Sequence, residues 1–186
     1  MASGSFARLV SLACHDLRTP LATVYGFART LERAGGADER SVRFLAMIRE
    51  ASQQMTRLLD DLGAAARIEG GRFEPVLRHV DTLELARSED GRVTVEGSGE
   101  TVETEAEAVE RALAALALAA IRYGPVEGVT WTVDGRRFAL APVTAAAAPV
   151  VIGEEIRDLG SLVARLVLEA LGGSLELDGE TLRVSL

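Results

Sequence analysis

At 186 residues, with 48% hydrophobic and 26% charged residues, the chain has the balance of a folded globular protein and is too apolar for disorder. Its net charge of −8, and the lack of any basic patch with interleaved aromatics, exclude nucleic acid as an expected partner. No apolar run nears the roughly 20 residues of a membrane-spanning helix, no signal-peptide pattern opens the chain, and its one cysteine, Cys14, permits no internal disulfide. A cytoplasmic soluble protein is expected, without membrane contact and without a sensor in the chain as given. All 20 basic residues are arginine, a compositional bias. Up to Pro75 ten arginines face nine acids, net +1; beyond it ten face nineteen, net −9.

The first element is a long helix over 5–34. Val10, Cys14, Leu17, Leu21, Val24, Ala28 and Leu31 recur at spacings of three and four, the seam of a coiled coil or bundle. Gly35-Gly36 ends it, and Asp38 or Ser41 can cap a second helix to about Ala66 with Leu45, Ile48, Met55, Leu59 and Leu62 on its apolar face. So short a connection makes an antiparallel hairpin. Each stripe is too broad for the other helix to cover, so two hairpins are expected to pair as a four-helix bundle in a homodimer.

Glu69-Gly70-Gly71-Arg72 breaks the helical pattern and divides the chain into 1–70 and 71–186. Strands are expected at 76–80, 92–96, 101–103, 129–133 and 137–140, and helices at 81–86, 105–123 and 159–171. A closing hairpin spans 174–177 and 181–186 around Asp178-Gly179. The alanine-rich stretch from Ala141 to Pro149 reads as a loop. The fold class is α+β: a helical hairpin, then an α/β sandwich with helices on one face of its sheet. His79, between Leu77 and Val80 in sequence, reads as a structural histidine.

At about 100° per residue, the apolar stripe of the first helix points away from His15, which therefore faces solvent. Thr19 lies one turn below it, and Ala22, Gly26 and Arg29 continue the same outward strip, with Leu12 and Tyr25 at its margins. The small residues leave room for another protein's surface to reach the imidazole. Two histidines and one cysteine, far apart in sequence, make a metal site an unfavoured reading.

The string Cys14-His15-Asp16-Leu17-Arg18-Thr19-Pro20-Leu21 resembles the H-box of sensor histidine kinases, in which the histidine carries a phosphoryl group. For this chemistry a neutral imidazole presents one nitrogen lone pair while the other nitrogen keeps its proton. Asp16 can accept that N–H bond, and Arg18 can help to neutralise developing charge, although it stands off the strip. Thr19 can position a water for hydrolysis, and Pro20 removes a backbone donor just below the site. Cys14 belongs to the buried stripe.

The resemblance extends along nearly the whole chain. Ala66-Arg67-Ile68-Glu69-Gly70-Gly71 is similar to the usual exit from the dimerisation and phosphotransfer domain, Arg111 to Tyr123 is similar to an N-box helix, and Asp158 to Gly173 is similar to the glycine-rich box and its helix. This would make the second half a Bergerat-type ATP-binding sandwich. The matching positions have lost their chemistry, however. Ala115 and Ala119 stand where the N-box asparagines would hold Mg²⁺ and phosphates. The alanine stretch up to Pro149 replaces the Asp-x-Gly-x-Gly motif, Asp158 stands where a glycine would approach phosphate, and no room remains for an ATP lid between Leu140 and Asp158.

The resemblance thus implies a histidine phosphotransferase of a phosphorelay, with a degenerate catalytic domain. It would pass a phosphoryl group between the aspartates of response-regulator receiver domains through His15, binding no ATP and no cofactor of its own, with Mg²⁺ held by the partner receiver. His15, Asp16, Arg18 and Thr19 would act in the chemistry, while Leu12, Ala22, Tyr25, Gly26 and Arg29 would meet the receiver. The rival readings are a response-regulator phosphatase using Thr19, a non-catalytic pseudokinase scaffold, and an active kinase with a divergent nucleotide site.

Overall fold

A computed structural model describes residues 14, 18, 21–26, 28–33, 39–155 and 157–186. The chain divides into two compact units, Met1–Arg72 and Phe73–Leu186.

In the first unit the described residues up to 33 are helical and form α1, and α2 spans Glu39–Glu69. Arg18 pairs with Asp60, the Gln53 amide donates to the Tyr25 hydroxyl at 3.4 Å, and Glu32 meets Arg49 at 3.4 Å. As α1 runs through 18, 25 and 32, its partners on α2 run back through 60, 53 and 49, so the two helices are antiparallel. One row of buried positions repeats every seven residues, at Cys14, Leu21 and Ala28 on α1 and at Leu45, Ser52, Leu59 and Ala66 on α2.

The expected seam separates into two halves. Val24, Leu31, Ile48 and Met55, expected on the apolar face beside those residues, are 42–55% exposed. One hairpin is only two helices thick, so each helix can cover a single row of its neighbour; the next row is left over.

The α2 helix runs past its expected end at Ala66 to Glu69 and stops in a Schellman motif. The Arg72 N–H donates to the Arg67 carbonyl at 2.8 Å, the Gly71 N–H donates to that of Ile68 at 3.0 Å, and Gly71 has φ of 62°.

The second unit holds a five-stranded sheet in the order β2-β4-β5-β7-β6, formed by Val93–Gly99, Val129–Gly135, Arg137–Ala141, Thr181–Ser185 and Ser174–Asp178. β2 and β4 are parallel, and the other neighbours are antiparallel. β1 (Arg78–Asp81) and β3 (Thr101–Thr104) form a separate antiparallel pair. Trp131, Val133, Phe138, Leu140, Leu182 and Val184 alternate toward one face of the larger sheet, with the Trp131 and Phe138 rings edge to face at 6.2 Å. That face lies in one apolar core with the buried sides of α4 (Ala106–Tyr123) and α6 (Leu159–Ala170).

Short α3 (Thr82–Leu85) is capped by Asp81, whose carboxylate accepts from the Leu83 N–H at 2.8 Å. Thr82 is fully buried; its hydroxyl donates to the Gly135 carbonyl at 2.6 Å and accepts from the Glu100 N–H at 3.0 Å. It ties the turn after β2 to the turn after β4.

Two expectations change. The stretch expected to be a loop up to Pro149 leads into a helical turn, α5 (Ala148–Val151), and its Val143, Ala147, Val150 and Val151 are at most 1% exposed. Alanine-rich sequence lacks the periodicity of a longer element, yet its small side chains pack well. His79, expected to be structural, is exposed on β1 opposite Glu103.

The atom that Gly71 would gain in a Gly71→Ala variant meets nothing within 4 Å, so the cost is the backbone conformation alone. This variant is expected to lose about 1 kcal/mol of stability in urea unfolding. Burial pushes the Cys14 thiol above its ordinary value of 9.0, so the folded state holds the proton more tightly than the unfolded chain. The resulting stabilisation is present below the ordinary thiol value and is lost as pH rises through the raised one. Iodoacetamide at pH 8 is expected to alkylate native Cys14 more slowly than the urea-unfolded chain.

Candidate functional site

His15, Asp16, Thr19 and Leu12 lie outside the described residues, so the site is framed by their neighbours on both helices. Cys14 is buried with Leu21 against Leu59, with Leu62 packed onto them, which fixes the residue before His15 onto α2. Of the expected surface strip, Ala22, Gly26 and Arg29 are exposed, and Tyr25 is half-buried. The Arg29 guanidinium lies 5.7 Å from the centre of the Tyr25 ring, and Gln53 holds the phenol from α2, so the ring is gripped from two sides. The Thr30 hydroxyl, one turn beyond Gly26, is spent on the Gly26 carbonyl at 2.8 Å.

Arg18 is exposed, and its charge is engaged by Asp60 across the hairpin. Asp60 has no part in the H-box string. Only the antiparallel register brings it there. A second cation of α2, Arg67, belongs to the same neighbourhood. Burial is the main cause that raises the Cys14 thiol pKa; Arg18 and Arg67 lower it, and Asp60 acts with burial to raise it.

The sequence also marks the face where α4 meets α6 in the second unit. Ala119 is 1% exposed, and a Cβ on Gly160 would stand 3.3 Å from the Cβ of Ala115 and 3.2 Å from Oδ1 of Asp158. The first turn of α6 is therefore laid directly on α4, over one of the positions from which an asparagine would have to reach outward.

Asp158 caps α6, accepting from the Ser161 N–H at 3.0 Å, and its other carboxylate oxygen accepts from Arg122 of α4 at 2.7 Å. The end of the helix thus holds the chain's own anion. Buried Ser161 donates its hydroxyl to the Val150 carbonyl at 2.9 Å and fastens α5 to α6. The Tyr123 hydroxyl donates to the Arg157 carbonyl at 2.9 Å, while the Arg157 guanidinium stacks 5.6 Å over the ring. Thr144 bonds the Gly124 carbonyl at 3.3 Å, closing the other end.

A groove of about 380 Å³ opens on the opposite, solvent-facing side of the sheet, lined by Thr132, Asp134, Arg137, Glu176, Arg183 and their neighbours. Among the described residues no three His, Cys, Asp or Glu side chains form a cluster suited to a metal ion. No helix of the described residues is long and apolar enough to cross a membrane.

Residues 7–71 match the model of the His Kinase A (phospho-acceptor) domain. Sensor protein DivL of Caulobacter vibrioides is 35% identical over 71 residues, covering 38% of this chain and 9% of DivL. Sensor protein KdpD of Mycobacterium tuberculosis is 31% identical over 134 residues, 63% of this chain and 16% of KdpD. Full-length ShkA, solved in complex with AMPPNP, shares the fold with a TM-score of 0.65 at 20% identity, over 95% of this chain and 44% of ShkA. The chain thus spans 9% to 16% of the curated relatives it matches. The helical part, over residues 7–71, thus matches the phospho-acceptor domain, and with the α/β sheet unit that follows it the chain shares the fold of ShkA.

Proposed function

We propose that this chain is a histidine phosphotransferase of a two-component phosphorelay, receiving and passing on a phosphoryl group through His15 without using ATP. The observation that carries this reading is the direct contact of α6 on α4, with Gly160 against Ala115 and Asp158 already filling the helix end. ShkA was solved with AMPPNP, so the shared fold does not by itself argue against a nucleotide. The argument comes from the residues. Alanines carry no ligand atoms, a fixed carboxylate repels phosphate, and Val143, Val150 and Val151 fill the core beneath.

Where the donor is a receiver aspartyl phosphate, the His15 lone pair forms a P–N bond as the acyl P–O bond breaks, and the electron pair leaves on the aspartate carboxylate. The second ring nitrogen keeps its proton during the attack, and Asp16 then takes that proton as the phosphoimidazole becomes neutral. The reverse step regenerates the free imidazole and phosphorylates the next receiver. A Mg²⁺ ion would belong to the receiver. Ala22, Tyr25, Gly26 and Arg29, with Leu12, supply the surface on which the receiver sits; the gripped Tyr25 ring gives that surface a fixed shape at little entropic cost.

The working form is a homodimer, in which Val24, Leu31, Ile48 and Met55 face a second hairpin. Rows spaced by seven residues on both helices suit a four-helix bundle.

With radiolabelled ATP alone the protein is expected to remain unlabelled, whereas a phosphorylated receiver transfers label to it. A His15→Ala variant loses that transfer. Label acquired from ATP alone would overturn the ATP-independent reading. For the dimer, Leu31→Glu and Met55→Glu are each expected to shift the molar mass in light scattering from two chains toward one.

A further inference from the structure

Arg18 was the cation expected to meet the phosphoryl group, but its guanidinium is engaged by Asp60. A different arginine is free to do so. Gly63 on α2 is buried, and among the described residues, its own helix backbone aside, a Cβ there would meet Nη1 of Arg67 at 3.4 Å. The Arg67 side chain therefore folds back over Gly63, one turn toward the start of α2, and the missing side chain makes the bed on which it lies. The residue before Gly63, Leu62, packs on the cluster that contains Cys14. The ladder of Arg18 with Asp60 and Tyr25 with Gln53, extended by one turn, gives the same level. The Arg67 guanidinium thus stands across the hairpin from Cys14, the immediate chain neighbour of His15. Arg67 is exposed and makes no ion pair among the described residues.

We propose that Arg67, bedded on Gly63, is the guanidinium that binds the phosphoryl group in transit through His15, a role that rests on the phosphoacceptor reading of that histidine. A planar fork of donors matches the equatorial oxygens of a transferring phosphoryl group. Arg18, held by Asp60, instead keeps the two helices in register.

The test uses the whole 186-residue chain with phosphoramidate, a small donor that needs no receiver. The P–N bond of the donor breaks with loss of ammonia as the P–N bond to His15 forms. Wild type is expected to become phosphorylated on His15. Arg67→Gln is expected to slow this about tenfold at saturating donor, with an unchanged melting temperature because the side chain is exposed. Arg67→Lys should recover part of the rate, since it restores the charge without the fork. Gly63→Leu displaces the guanidinium from its bed and should match Arg67→Gln.

Equal rates for wild type and Arg67→Gln, or a greater loss in Arg18→Ala than in Arg67→Gln, would overturn the assignment of Arg67 while leaving His15 as the acceptor. A wild-type protein that takes no phosphoryl group would overturn both, because Arg67 would then have nothing to bind. A slow Arg67→Gln variant with a lowered melting temperature, rescued fully by Arg67→Lys, would reassign Arg67 to structure and overturn the proposal as well.

Discussion

The seam between α1 and α2 is the constraint on which the first unit depends. Burial of Cys14 and Leu21 against Leu59 fixes both the rotation of each helix and the register between them. A helix so rotated has no freedom left. The strip of Ala22, Gly26 and Arg29 is turned to solvent because Leu21 and Ala28 are turned inward. The same rotation leaves Val24 and Leu31 uncovered, so site exposure and the unpaired apolar row have a single cause. Asp60 is brought to Arg18, and Arg67 to the level of Cys14, by nothing but that register.

The second unit uses the same physics to the opposite end. There the apolar face of the sheet finds cover in α4 and α6, and that cover closes the face between the two helices. Small residues are decisive. Ala115 against Gly160 lets two helices approach closely, and the alanine-rich segment supplies side chains small enough to fill what remains. Close packing gains dispersion energy and removes space in one step. The polar groups near the closed face are then spent internally: Asp158 on Arg122 and the α6 N-terminus, Ser161 on Val150, and Tyr123 on Arg157. A buried carboxylate with two good partners is stable where a free one would be costly. These arrangements agree in direction with the loss of ligand atoms at Ala115 and Ala119, so local chemistry and global packing support one reading.

The acidic character of the second half, net −9 beyond Pro75, does not concentrate at this face. Arg122, Arg157 and Arg165 all point their charge into local pairs there. Such a surface favours solubility over recruitment of polyanions.

Much of this was legible in the sequence. Periodicities of 3.5 and 2 placed the hairpin and the strands, Gly70-Gly71 marked the end of α2, and Asp178-Gly179 marked the closing turn, because each depends on neighbours within a few residues. The H-box resemblance was legible because its residues adjoin one another in the sequence. Everything that depended on which face was covered, or on a partner distant in sequence, was not. The sequence could not divide the apolar stripe into its buried and uncovered rows, since periodicity gives the face of a helix and says nothing of how many neighbours cover it. It could not show that the alanine-rich stretch carries buried core, that Asp60 takes the charge of Arg18, or that Gly63 makes a bed for Arg67. Sequence by itself determined which elements form and which residues are chemically equipped; tertiary structure decided which of those residues meet, because contact across 42 positions of chain is set by packing rather than by local preference.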